Sequence, residues 1–408
     1  MNRDECVTRD NTDPVAAMRT RFSLPDGQIY LLGNSLGAMP IEAPASFDRV
    51  VREEWERHLI GGWNLGWYDQ PTVLGDRLAR LVGAAPGEVV VADTTSINLM
   101  KVVFAAIRQQ EAHGRSAVGY EAGLFPTDIY VTASVANAVG ATAIPLDIVD
   151  GAMPGLPDTL AAAVLSHVDY RSGRLLDMAA LTRQLHERGA LAIWDLSHSV
   201  GALPIALDDS DADYAIGCTY KYLNAGPGAP AFVFVRDRLL PTTHVLPEGW
   251  FAHREPFAMA PTFAAADDIR RLLVGTPPVI ASAGLAASLD VFDAVDLAVL
   301  RAKSLALTEL FVDVVTAGTR EVDVVTPMDP DARGSHVTLR HESAYPIVRA
   351  LNERGVVGDF RAPDAMRFGF APLYVRFVDA YDAAVSLVDV VTTGAWRDPR
   401  YATRESVT

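Results

Sequence analysis

Two residues in this chain have the types, and stand at the kind of positions, that imine chemistry needs: Lys221 and Asp195. Lysine is scarce, with only Lys101, Lys221 and Lys303 among 408 residues. Lys221 follows the apolar run Tyr214-Ala215-Ile216-Gly217 and precedes the turn Gly226-Pro227-Gly228, so its amine is read at the end of a buried strand. Burial disfavours an ammonium and lowers its pKa, which makes such an amine a nucleophile toward an aldehyde. Asp195 ends a second apolar run, Leu191-Ala192-Ile193-Trp194. One amine to hold an aldehyde and one carboxylate to keep a pyridine nitrogen protonated are what a pyridoxal 5'-phosphate site requires. Each residue also has an ordinary reading, Lys221 as a solvated edge residue and Asp195 as a turn former or helix cap.

A phosphate-site candidate moves the balance toward chemistry. Val89-Val90-Val91-Ala92-Asp93-Thr94-Thr95-Ser96-Ile97-Asn98 reads as strand, hydroxyl-rich turn and helix, where free N–H groups and the helix dipole favour an anion. Taken alone, the same residues are an N-cap cluster. No glycine-rich nucleotide fingerprint occupies a strand-to-helix turn. Phe125, in Phe125-Pro126-Thr127-Asp128, could lie flat on a heteroaromatic ring or be a buried staple. His198 could orient Asp195 or be structural. Arg367, between Met366 and Phe368, must find an anion, either a substrate carboxylate or an Asp or Glu of the chain. Gly249-Trp250-Phe251 and Gly275-Thr276-Pro277 offer an indole and a hydroxyl donor in loops.

The elements that must position these groups alternate short apolar runs with helical patterns, which predicts a largely parallel sheet covered by helices. Strands are expected over 89–92, 117–120, 142–146, 162–168, 191–194, 214–217 and 231–235, with helices over 97–110 and 177–188. A single Ala/Leu-rich helical stretch is expected from 279 to about 317, then strands at 322–325, 336–339 and 366–370 and helices at 344–354 and 378–393. This divides the chain into a segment, residues 1–60, packing on the small domain, a large cofactor domain over 61–290 and a small α+β domain over 291–408. Within the first segment, Phe47, Val50, Val51 and Trp55 mark an amphipathic helix.

Composition bounds the partners. Lys and Arg total 35 against 51 Asp and Glu, a net charge of −16 that works against nucleic acid and anionic membrane surfaces. The opening residues lack an apolar signal core and no apolar run is long enough to span a membrane, so a cytoplasmic enzyme is expected. Cys6 and Cys218 are too few for a disulfide framework, and no Cys/His cluster has zinc-ligand spacing. Cys218 is read as a small core residue that could also line the site.

With those residues in place, the sequence resembles kynureninase, a fold-type-I pyridoxal phosphate enzyme of the aminotransferase class V group. The resemblance spans almost the whole chain. It is carried by Tyr30-Leu31-Leu32-Gly33-Asn34-Ser35-Leu36-Gly37, Phe125-Pro126-Thr127-Asp128, Trp194-Asp195-Leu196-Ser197-His198, Thr219-Tyr220-Lys221-Tyr222-Leu223-Asn224 and Gly249-Trp250-Phe251. It implies an α/β fold with a mostly parallel seven-stranded sheet plus a smaller C-terminal domain. It also implies that Lys221 holds the cofactor aldehyde and later acts as base, that Asp195 pairs with the pyridine nitrogen, and that Phe125 stacks on the ring. Thr95, Ser96, Tyr220 and Trp250 would hold the phosphate, with Thr276 reaching it from a neighbouring subunit. Asp128, Ser166 and His198 would complete the cofactor shell. Arg367 would receive the substrate's α-carboxylate, although Arg376 lies close by, and Asn34, Ser35, Trp63 and Gly275 would line the substrate site. Tyr220 is expected to relay a proton, its acidity raised beside the phosphate.

The implied reaction is hydrolysis of L-kynurenine to anthranilate and L-alanine by a homodimer with shared active sites. Trp63, Gly275 and Thr276 fit the bacterial type that prefers L-kynurenine to its 3-hydroxy form, with Trp67 able to take the place of Trp63. A cysteine desulfurase or selenocysteine lyase is the nearest alternative, disfavoured because Tyr220, not histidine, precedes Lys221 and neither cysteine stands in a mobile loop near the site. A catalytically silent binding protein is the other, and the joint presence of Lys221, Asp195 and Arg367 argues against it.

Overall fold

A computed structural model describes residues 1–404. Its centre is a seven-stranded sheet of β1 (Val89–Val91), β2 (Ala117–Glu121), β3 (Thr142–Leu146), β4 (Leu160–Ser166), β5 (Leu191–Asp195), β6 (Tyr214–Gly217) and β7 (Phe232–Val235). The spatial order is β1-β7-β6-β5-β4-β2-β3. From β6 to β3 every neighbouring pair is parallel, while β7 runs antiparallel to both β6 and β1. Helices cover both faces, so β1 and β4 to β7 are buried at every position and read in sequence as unbroken apolar runs.

The chain beyond the sheet forms a second, antiparallel layer: β8 (Asp323–Val324), β9 (His336–Arg340), β10 (Asp359–Arg361) and β11 (Ala365–Gly369), ordered β8-β9-β11-β10. The stretch expected as one helix from 279 to 317 is two, Val279–Phe292 and Leu297–Gly318. Asp296 ends the continuity by accepting the Ala298 N–H at 2.7 Å as an N-cap. Continuous apolar composition across the break hid it from the sequence pattern.

Within residues 1–60 the packing divides. The helix Arg3–Asn11 lies on the helix Phe377–Thr393, where Asp10 accepts the Phe377 and Val378 N–H groups at 2.7 and 3.0 Å. Further along, Ala43–Asp48 passes directly into a wider π-helical turn, Arg49–Trp55, and packs on Val279–Phe292. Gly284 admits this approach, since a Cβ there would meet the Phe47 ring at 3.0 Å.

Candidate active site

The parallel strands bring their carboxyl ends to one edge, which is where open α/β sheets place ligands. Asp195 is the last residue of β5, and Lys221 stands in the turn after β6. That turn is tied down by backbone bonds: Ala225 N–H to the Thr219 carbonyl at 3.0 Å and Asn224 N–H to the Lys221 carbonyl at 2.8 Å. Asn224 itself takes φ +57°. Gly37 donates its N–H to the Tyr220 carbonyl at 2.8 Å. A Cβ at position 37 would overlap the Lys221 carbonyl, which explains why glycine closes the Asn34–Gly37 stretch.

A cavity of about 290 Å³ opens here, lined by Lys221, Asp195, Asp128, His198, Phe125, Tyr220, Thr95 and Ser96, together with Asn34, Ser35 and Arg367. An adjoining hollow of about 940 Å³, lined by Trp55, Trp67, Phe47 and Met39 among others, holds no titratable side chain, so the chemistry belongs to the smaller space. Lys221 Nζ lies 3.3 Å from His198 Nε2, and among the described residues no carboxylate pairs with it. Burial, and secondarily the charge of Lys221, hold the His198 imidazole well below its ordinary pKa, so the ring is neutral. His336, 5.9 Å from His198 between ring centroids, is pushed down to about 3 by burial.

The two carboxyls differ in their anchoring. Asp195 Oδ1 accepts the Ser197 N–H at 2.8 Å. Asp128 sits on the first turn of the helix Pro126–Ala138, and its Oδ2 is buried without a hydrogen-bond partner. Burial first, and then the neighbouring Asp195, hold the Asp128 pKa well above the carboxylate range, so Asp128 keeps its proton more tightly than a free carboxyl does. Phe125, at the mouth of that helix, leaves 45 % of its surface open and meets Tyr170 edge-on at 5.2 Å.

Tyr220 departs from expectation. Its phenol is held above the ordinary range, chiefly by burial, so its acidity is lowered, not raised. Among the described residues no cation bonds its oxygen, and a dianionic phosphate alongside would disfavour the phenolate further.

Arg367 is only 2 % exposed and already occupied: Nε and Nη2 donate to both oxygens of Asp359 at 2.8 and 2.6 Å, and Nη1 donates to the Tyr170 carbonyl at 2.6 Å. Arg361 shares the same Asp359 at 2.9 Å and also lines the cavity, so one carboxylate serves two guanidiniums. Arg376 pairs with Asp379 at the start of the last helix and does not line the cavity.

Five further expected residues, Ser166, Trp63, Trp250, Gly275 and Thr276, lie outside the cavity lining. Ser166 stands beside Asp195 in register, but its hydroxyl donates to the Val168 carbonyl at 2.9 Å. Trp63 joins a cluster with Trp67, Phe251 and, through Phe251, Trp250. Gly275 and Thr276 are exposed on the surface. Sequence reasoning missed Tyr170, Arg361, Thr127 and Ser197. Tyr170 and Ser197 follow the carboxyl ends of β4 and β5, a signal that was there to use. Arg361 gave none, because only the docking of β10 and β11 brings it near Lys221.

A pyridine aldehyde with a phosphate arm fits this donor set. The unpaired Lys221 amine suits the aldehyde, the Asp195/Asp128 pair a ring nitrogen, and the hydroxyls at the amino end of the helix Thr95–Glu111 a phosphate. Both amide atoms of Asn34 are buried without partners and line the same space.

A family model described as the kynureninase C-terminal domain matches residues 300–387. Kynureninase of Pseudomonas fluorescens is 45% identical over 413 residues, covering 100% of this chain and 99% of that one. Kynureninase of Burkholderia pseudomallei strain 1106a is 45% identical over 415 residues with the same coverage. Among solved structures, a C-DES mutant with glycine covalently linked to its PLP cofactor has a TM-score of 0.79 at 18% identity, covering 91% of this chain and 99% of that one. Cysteine desulfurase CsdA from Escherichia coli has a TM-score of 0.76 at 18% identity, covering 93% and 98%. At that identity the structural likeness is one of fold.

Proposed function

The chain belongs to the kynureninase family, and on that premise we propose which of its residues carry out the pyridoxal-5'-phosphate-dependent hydrolysis of L-kynurenine to anthranilate and L-alanine. The observation that carries the assignment is the Lys221 amine, which faces the cavity beside a neutral imidazole and without a carboxylate to hold it. The bound cofactor supplies an electron sink for the substrate's α-carbon. Lys221 Nζ is the group that would hold the cofactor's aldehyde and that would serve as base for the substrate's α-proton. His198 Nε2 orients that amine without adding charge. Asp195, fixed by the Ser197 N–H, would face the cofactor's ring nitrogen, with the protonated Asp128 beside it. Thr95, Ser96, Tyr220 and Trp250 bind the phosphate, and Ser166 supports Asp195 from the adjacent strand.

Tyr220 keeps its phenolic proton, which makes Oη a donor to whichever atom gains charge as the Cβ–Cγ bond breaks. The substrate's α-carboxylate is received by Asn34 and by the Arg367/Arg361 pair, whose two positive charges exceed the single negative charge of Asp359. Ser35, Trp63 and Gly275 border the aryl end, and the unhydroxylated substrate is preferred. The desulfurase reading loses ground because Cys6 and Cys218 are both buried, and burial pushes the Cys218 thiol up.

The active form is a homodimer. Support comes from Leu36, Met39, Trp55 and Ile280, exposed apolar residues that line one hollow, and from exposed Gly275 and Thr276, which would complete a partner's site. Free thiols suit a cytoplasmic setting. Among the described residues no helix is long and apolar enough to cross a membrane. The division into 1–60, 61–290 and 291–408 belongs to the same proposal, supported by the separation of the seven-stranded from the four-stranded sheet. Borohydride reduction of the loaded protein followed by peptide mapping tests the central assignment: the label is expected on Lys221, and label on Lys101 or Lys303, or on no lysine, overturns it.

A further inference from the structure

Lys101 takes no part in the chemistry above, yet its amine is sealed inside the large sheet's helical cover. It is fully buried on the helix Thr95–Glu111, and three acceptors converge on it. These are the Asp93 carboxylate, the Leu272 carbonyl at 2.6 Å and the Asn98 amide oxygen at 3.3 Å. Asp93 opens the turn that leads to Thr95 and Ser96 and takes φ +44°, a conformation uncommon for any residue but glycine. Its own carbonyl accepts the Ala231 N–H at 2.9 Å, and Asn98 donates to the Ala92 carbonyl at 2.7 Å. The entry to the turn is therefore gripped through both its side chain and its backbone.

The Leu272 contact reaches further. Leu272 begins the segment that ends at Gly275 and Thr276, and Val274 of that segment lies so close to Gly249 that a Cβ there would overlap the Val274 carbonyl. Trp250 is the next residue. One ammonium thus braces the Thr95–Ser96 turn against the strand of chain that sets Trp250 and Thr276. There is also an electrostatic reason for a cation here. A carboxylate two residues before the phosphate donors opposes an incoming dianion, and pairing it with an ammonium removes that opposition.

We propose that Lys101 is a positioning residue for the cofactor's phosphate: it cancels the charge of Asp93 at the mouth of the phosphate turn and ties that turn to the 272–276 segment. The inference rests on reading Thr95–Ser96 as the phosphate site. Titrating the cofactor-free protein with pyridoxal 5'-phosphate and, separately, with pyridoxal gives a ratio of dissociation constants that isolates the phosphate's contribution. Lys101→Met is expected to shrink that ratio by about tenfold or more, the equivalent of one close charge interaction, while pyridoxal affinity stays within about twofold. Lys101→Met/Asp93→Asn is expected to recover most of the ratio, and Asp93→Asn alone to keep or enlarge it.

An unchanged ratio in Lys101→Met, accompanied only by a lower Tm, overturns the proposal and leaves Lys101 a structural brace. If Lys101→Met does not fold, Asp93→Asn decides, since a shrunken ratio there contradicts the charge-cancelling role. A wild type that binds pyridoxal as tightly as its phosphate ester overturns the phosphate reading itself, a result distinct from either.

Discussion

The environments of Lys221 and Lys303 are two solutions to placing an ammonium below the surface. Lys303, on the helix Leu297–Gly318, meets Asp13 at 2.6 Å with both side chains almost wholly covered. Lys221 meets an imidazole nitrogen and the Tyr220 ring, whose centroid is 6.0 Å away, and its surroundings open into a cavity. A lysine matched to a buried carboxylate is a brace that fastens the N-terminal segment to the C-terminal region, whereas an unmatched one is free for chemistry. Arg367 and Arg361 stand between these cases, because they share Asp359 and keep one positive charge uncancelled.

The largest break of this contrast is Lys221→Ala. Turnover should fall by roughly a thousandfold or more, the range lost with a catalytic base and nucleophile, and the cofactor's covalent attachment should vanish in borohydride mapping, with the fold retained by circular dichroism. Lys303→Met should do the reverse. It strands Asp13 and costs about 3–5 kcal/mol of stability by chemical denaturation, with the turnover number of the folded protein unchanged. Adding Asp13→Asn should return most of the loss, because an apolar or neutral pair replaces a buried ion pair at little cost.

Arg361→Met tests the intermediate case. It leaves Asp359 matched by Arg367 alone and should raise KM about tenfold, the worth of one charge-assisted contact, with cofactor affinity held. An unchanged KM would place the carboxylate on Arg367 and Asn34 only. The smallest effect concerns protons. The folded chain keeps a proton on Asp128 that the unfolded chain releases from about pH 4 upward. The cofactor-free protein should therefore lose stability as pH rises from that point toward Asp128's raised pKa, and denaturation midpoints across pH should show a flatter slope in Asp128→Asn.

Much of the fold was legible because a strand buried on both faces is apolar along its length, as β1, β4, β5, β6 and β7 are up to Ser166 and Asp195 at the ends of β4 and β5. The break at Asp296 was not, since the residues around it keep the apolar density of the helices they separate. At the site, Lys221 and Asp195 stood out because a strand end is both a local pattern and the place where ligands meet a parallel sheet. Asp359 and Arg361 could not, because their nearness to Lys221 depends on how the second sheet docks. Tyr220 shows the opposite error: its position was visible, but burial, which sets its proton affinity, is a property of the folded surroundings.

The amino-acid order by itself determined which chemistry the chain can carry and along which strands it lies, since residue type and apolar periodicity are local. Only the tertiary structure decided which of the three lysines was left without a carboxylate and which carboxyl kept its proton. Charge pairing and desolvation arise between groups distant along the chain, so no local pattern encodes them.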